Sequence, residues 1–287
     1  MNYASVVRVL AFLFLVVVIA AVPSVFMSIA AGESSQTFAF GAMILSIIVV
    51  SSSVLLLTPK PKRKARPSDA LGTVILWWFL TPLVTGMPFI LGVENTSVIS
   101  AIHEATACLT TTGQSVIAVH NNEWPISLVV WRGMLHLLGG LATITTAASV
   151  LAALNLGGPG IHRTVLFTVP ETSFFDAVPR VARMVTLLMV VSLLALFSAL
   201  VFMGVPAERA LGDAVSALTT GLVHPQGIMR APLDTGPSIV LGFGLLFGAM
   251  GLAGQGADPH RKPLVDGVLL ADEAAPDVHV LDVVRDR

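Results

Sequence analysis

The run Leu109-Thr110-Thr111-Thr112-Gly113-Gln114-Ser115 carries the clearest chemical signal in the chain. Its threonines are small enough to let loops approach closely, and its glycine permits backbone angles that other residues resist. A cation stripped of water needs a ring of oxygen atoms to replace its hydration shell, and carbonyls from several loops around one axis supply such a ring. Thr110, Thr111, Thr112 and Gly113 are therefore candidate cation-coordinating residues. A short helix leading into the loop would aim the partly negative end of its dipole at the ion. By itself, a Thr-Thr-Thr-Gly string fits an ordinary loop or a membrane helix equally well, so its surroundings decide.

Residues 97–109, just before the loop, are moderately apolar but too short to cross a bilayer. A longer apolar stretch lies on each side, which is the pattern of a re-entrant half-helix whose end lines a protein cavity. Residues 207–218 show the same pattern. Glu104-Ala105-Thr106-Ala107-Cys108-Leu109-Thr110-Thr111 parallels Asp213-Ala214-Val215-Ser216-Ala217-Leu218-Thr219-Thr220, with acid, Ala, Leu and the Thr pair at matching offsets. Thr219, Thr220 and Gly221 form a second, weaker candidate filter, shorter in Thr and followed by the bulkier Leu222 and Val223. Residues 71–154 and 184–252 each read as span, short helix, Thr/Gly loop and span in one orientation, a parallel repeat about the membrane normal.

The elements that must position these loops are membrane helices. Apolar residues make up 55% of the 287, charged residues 11%, and mean hydropathy is +0.86, whereas soluble domains carry about 25% charged residues. Six stretches, 6–29, 38–57, 71–91, 126–154, 184–203 and 239–252, approach or exceed the ~20 apolar residues needed to cross a bilayer. The expected fold is an all-α polytopic membrane protein: an N-terminal helix pair plus two membrane helix–pore helix–membrane helix repeats. The divisions are 1–58 for the transmembrane pair, 59–70 for a basic loop, 71–156 for the first pore repeat and 157–183 for a second cytoplasmic loop. A degenerate second repeat covers 184–256, and 257–287 is a polar tail of mixed charge. The first stretch also fits a signal peptide before Ala30-Ala31-Gly32, although its apolar core exceeds the usual ~7–15 residues.

Lys60, Lys62, Arg63, Lys64 and Arg66 lie beside the second span and place that loop in the cytoplasm by the positive-inside rule. Both termini then fall inside, with only Arg132, Arg209 and Arg230 among the arginines and lysines on the outer side. Glu33, Glu94, Glu104 and Asp213 collect there with other acids, either as an acidic mouth that concentrates cations or as ordinary loop residues. Arg132 reads as an intramembrane functional charge or as a side chain snorkelling to the interface. Trp77, Trp78, Trp124 and Trp131 suit interfacial belts, and Gly139-Gly140 suits close helix approach. Cys108 is read as a packing residue, His224 as a loop residue at the outer mouth. No paired carboxylates, nucleophile–base pair, phosphate loop or metal-ligand spacing appears, so an enzyme is not expected, nor a cofactor or a nucleic-acid partner.

Residues 89–113, with Trp131-Arg132-Gly133-Met134-Leu135-His136-Leu137-Leu138-Gly139-Gly140 and Asn155-Leu156-Gly157-Gly158, resemble the first pore repeat of the Trk/Ktr/HKT potassium transporter superfamily. Residues 1–57 resemble the extra helix pair of Trk proteins. The resemblance implies an inner-membrane permease subunit that carries potassium ions, with Thr110, Thr111, Thr112 and Gly113 in the filter. It also implies a nucleotide-binding regulatory subunit at the cytoplasmic face. Members of the superfamily carry four such repeats around one pore, so a ring built from these two loops calls for a second chain, either another copy in a homodimer or a different subunit. The alternative is a degenerate, non-conducting subunit acting in assembly or regulation of another membrane complex, a reading favoured by the altered second loop.

Overall fold

Lipid offers backbone amides no hydrogen-bond partner, so the apolar stretches must close their own bonds as helices. The computed structural model describes residues 3–59, 67–117, 119, 124–153, 174–221, 223 and 233–249, and every regular element among them is an α-helix. In chain order these are α1 (Tyr3–Ala30), α2 (Ser34–Leu57), α3 (Pro67–Thr85), α4 (Met87–Gly92), α5 (Val98–Leu109), α6 (Ile126–Ala153), α7 (Phe174–Phe202), α8 (Ala207–Thr219) and α9 (Thr235–Ala249). The basic run 60–66, most of the 157–183 loop, His224 and the tail 257–287 lie outside the described residues.

Five segments are long and apolar enough to cross a membrane: Tyr3–Ala30, Ser34–Leu57, Asp69–Gly92, Ile126–Ala147 and Val181–Phe202. The expected sixth span, 239–252, is represented among the described residues by α9, whose 15 residues run about 22 Å up to the last described position of that stretch. The third span is broken rather than continuous. Pro88, at the start of α4, has no N–H to give the preceding turn. A side chain on Gly86, at the break, would meet the Pro82 and Ala101 carbonyl oxygens at 2.9 and 3.1 Å. The break therefore lets α5 press against α3 where only a glycine fits. Hydroxyls inside the spans bond back to their own helix, as Thr73 does to the Asp69 oxygen, Thr81 to Trp77 and Thr85 to Thr81. These three buried threonines are thereby satisfied within their own helix.

Helices α1 and α2 brace the first repeat. Arg8 donates from the start of α1 to the Leu55 and Thr58 oxygens at 2.8 and 2.7 Å, placing a cation at the negative end of α2. Gln36 donates to the Gly92 oxygen at the end of α4, at 2.7 Å. Glu33, in the α1–α2 turn, accepts from the Ile126 N–H at 2.8 Å and from Ser127, so a carboxylate caps the positive end of α6. Trp131 is fully buried, edge-on to Phe40, with its indole N–H on the Thr85 oxygen at 3.1 Å. It locks α6 to α3 and does not sit in an interfacial belt. Trp77 is likewise buried, edge-on to Trp78.

The repeat runs through the helices at one constant offset. Helices α5 and α8 correspond from their first residues, Leu109 corresponds to Leu218, and Gly139 in α6 to Gly248 in α9. A side chain on Gly139 would collide with the Leu109 carbonyl, and one on Gly248 with the Leu218 carbonyl. In each repeat the second helix thus presses a glycine onto the end of its own short helix.

Candidate cation filter

Each loop begins by turning back on its half-helix. After α5, which Ser97 caps by accepting from the Ser100 N–H at 3.0 Å, the N–H groups of Thr110, Thr111 and Gly113 return to the Thr106, Cys108 and Ala107 oxygens at 2.8, 3.0 and 2.9 Å. The second loop does the same: Thr220 N–H reaches the Ala217 oxygen at 3.3 Å and Gly221 N–H the Ser216 oxygen at 3.0 Å. Thr111 and Thr220 occupy equivalent positions, and both are left-handed, with φ of 57° and 54°. A β-branched residue adopts this conformation rarely and at a cost of order 1–3 kcal/mol. Its appearance in both loops marks a backbone shape that the surrounding structure imposes. These bonds draw the N–H groups of Thr110, Thr111, Gly113, Thr220 and Gly221 back into the helix ends.

The hydroxyls are less available than the sequence suggests. Thr110 donates to the Thr106 oxygen at 2.9 Å and lies 3.2 Å from the Thr112 hydroxyl. Thr219 is buried and donates to the Val215 oxygen at 2.8 Å. Thr110, Thr112 and Thr220 are exposed, Thr111 and Gly221 half-buried, and Gly113, at φ 68°, buried.

Arg132 holds the two loops together. It is fully buried in α6, which excludes snorkelling to an interface. One terminal nitrogen forms an ion pair with the equally buried Glu104 of α5. The other donates to the Gly113 oxygen at 2.5 Å, and Nε donates to the Val223 oxygen at 2.8 Å. The Trp124 ring lies 5.6 Å from the guanidinium. Glu104 also accepts from the Ser115 hydroxyl at 3.0 Å and the Val116 N–H at 3.3 Å. The planar fork of arginine suits this role, because its donors leave in fixed directions toward separate acceptors. Glu33 and Glu104, expected among the acids of an outer mouth, are thus bonded to the scaffold.

The second repeat has no such arginine. Leu241 stands at the position of Arg132, and Asp213, the counterpart of Glu104, pairs with Arg209 one turn away at 3.3 Å on a partly exposed surface. The two loops meet directly instead. A side chain on Gly221 would collide with the Thr111 carbonyl and approach the His136 ring at 2.7 Å. His136 Nδ1–H donates to the Arg132 oxygen at 2.8 Å, which fixes its ring in the seam. The structure therefore brings Thr111, Gly113 and Gly221 of the expected set to one place. It adds Glu104, Arg132, His136 and Val223, which carry no recognisable filter motif.

No family model matches the chain. It is 28% identical over 163 residues to the Trk system potassium uptake protein TrkI of Halomonas elongata, covering 57% of this chain and 33% of that protein. It is 27% identical over 164 residues to TrkH of Salmonella typhimurium, covering 56% and 34%. The match thus spans about a third of the length of these curated relatives. The crystal structure of the potassium transporter TrkH from Vibrio parahaemolyticus superimposes with a TM-score of 0.68 at 20% identity, covering 86% of this chain and 49% of that one. At that identity the likeness establishes the fold.

Proposed function

We propose that this chain, related to the N-terminal part of the Trk potassium transporters, is a subunit of a potassium permease whose pathway passes the loops 110–113 and 219–221. The observation that carries this reading is the pair of half-helices that end in matching left-handed threonines, with their loops in contact and tied to one arginine. Carbonyls turned to a common axis by such loops are what a dehydrated monovalent cation requires. Two loops supply part of a ring, and a second chain completes it. The basic loop faces the cytoplasm, so the filter lies toward the outer side and ions enter down their electrochemical gradient.

The test is rubidium uptake in cells stripped of their own potassium uptake systems, expressing this chain or its Gly113→Asp variant at equal membrane levels. Gly113 sits at φ 68° with its carbonyl on Arg132, so an aspartate there strains the backbone and places a carboxylate in the loop. Uptake by the parent, abolished in the variant, is the expected result. Equal uptake by both would remove the 110–113 loop from the pathway. No uptake by either, with both stably inserted, would sink the stand-alone transporter and leave two readings, a missing partner chain or a non-conducting structural subunit.

A further inference from the structure

The seam between the two repeats shows what the second helix of a pore repeat is shaped to receive. The α6 face bearing Gly133, His136 and Gly140 takes up the following repeat: Gly133 lies against Val223, His136 against Gly221, and Gly140 against Met189 of α7. Carried through the repeat offset, these three positions become Gly242, Leu245 and Ala249 on α9. All three line one open apolar groove of about 650 Å³, and Thr220 completes its wall. A side chain on Gly242 would meet nothing within 4 Å. The receiving face is therefore present twice, and within the described residues it is filled once.

The inserted face is also present twice. Val185 and Met189 of α7 are 0% and 6% exposed in the seam, whereas their counterparts Leu76 and Leu80 in α3 are 38% and 37% exposed, with Phe79 beside them at 74%. Thr112 and Gln114, the counterparts of Gly221 and Val223, are exposed as well. Lipid covers a purely apolar helix face without difficulty, and α1 shows such faces at Phe12, Ile19 and Phe26. The α9 groove differs because it is bordered by the exposed backbone turn at Thr220. Irregular backbone at membrane depth is tolerated only where protein or a water-filled cavity covers it.

We infer that the α9 groove seats the first pore repeat of a second copy of this chain, with α3 and residues 112–114 of that copy entering it as α7, Gly221 and Val223 enter the α6 face. The inference builds on the permease reading and adds to it the surface that closes the ring. The contact pairs unlike elements, α9 of one copy against α3 of the other. A two-fold axis along the membrane normal makes it twice and leaves neither face open. The seam between copies is wider than the one within a chain, because Thr112 carries a side chain where Gly221 has none.

A side chain added at Gly140 would lie 3.6 Å from Met189 Cε, and this pairing translates to Ala249 of one copy against Leu80 of the other. Two differently tagged chains in a Cys108→Ala background, one with Leu80→Cys and one with Ala249→Cys, should be joined by a short thiol cross-linker in native membranes. Either variant expressed alone should give no joined pair. Rubidium uptake is followed in the same cells without the cross-linker. Joining confined to the mixed pair supports the seat, whether or not uptake is seen, and absent uptake then counts against the permease reading alone. Uptake without joining leaves the permease reading standing and overturns the second copy as occupant. Equal joining in the single-variant cells also overturns it, since that reports random collision in the membrane.

Discussion

Replacing Arg132 by Met should be among the most damaging single changes in the chain, and most of the damage should trace to Glu104. Both side chains are fully buried, and removing one partner of a buried pair costs about 3–5 kcal/mol because the other charge is left uncompensated. Glu104 keeps the Ser115 hydroxyl and the Val116 N–H, which places the pair's share near the lower figure. The Gly113 and Val223 carbonyls also lose a charged donor, at about 1–3 kcal/mol each if nothing replaces it. Glu104→Gln in the Arg132→Met background removes the stranded charge but not the stranded carbonyls. The double variant should therefore regain about 2 kcal/mol or more over Arg132→Met, while its uptake stays lost because the loops are no longer tied. The assay is reversible unfolding in mixed detergent micelles for the parent, both single variants and the double, read as a double-mutant cycle, with rubidium uptake in parallel. Independent sites add to within about 0.5 kcal/mol. An interaction no larger than that would refute the buried pair as the centre of the site, and full uptake by the double variant would refute the arginine as the loops' tether.

Two further substitutions probe the scaffold around the site. Gly139→Ala drives a methyl group into the Leu109 carbonyl and should cost about 3 kcal/mol or more, whereas Gly41→Ala, with nothing within 4 Å, should be neutral or stabilising by up to about 1 kcal/mol; both are read from the same unfolding curves. Glu33→Gln keeps an acceptor for the Ile126 N–H but removes the negative charge from the start of α6, so it should cost about 1 kcal/mol and leave rubidium uptake at the parent level.

The helices were legible because lipid leaves the backbone no alternative: residues 6–29, 38–57 and 126–154 sit within or nearly coincide with α1, α2 and α6. The half-helices were legible from length, since 97–109 and 207–218 are too short to cross and are bounded by longer spans. The break at Gly86 was hidden because Pro88 lies in a run whose composition is otherwise that of a span. The clamp was hidden for another reason. Glu104, Gly113, Arg132 and Val223 are joined only by the fold, and each has a plausible separate reading as a mouth acid, a turn glycine, an interfacial cation and a loop residue. One signal was available in the repeat itself. An acid stands in both half-helices, at Glu104 and Asp213, but an arginine stands in only one second helix, with Leu241 at the matching place. That asymmetry points to Arg132 as the residue whose role is not shared.

Sharing one arginine also constrains what the site can do with a cation. Nη2 of Arg132 touches the carbonyl of Gly113, so a full positive charge borders the loop proposed to receive potassium. At about 6 Å and an effective dielectric constant near 20, an unneutralised charge would raise the energy of a monovalent ion by roughly 3 kcal/mol, enough to empty the position. Glu104 removes that penalty while leaving the donors of the guanidinium in place, and this accounts for a buried carboxylate in a half-helix that otherwise needs only apolar contacts. The cost falls on independence. Because Gly113 and Val223 accept from the same guanidinium, and Gly221 rests on the Thr111 carbonyl, neither loop can shift without the other. The 219–221 loop can be shorter in threonine than its counterpart because its position is set from the first repeat rather than by an acid and arginine of its own.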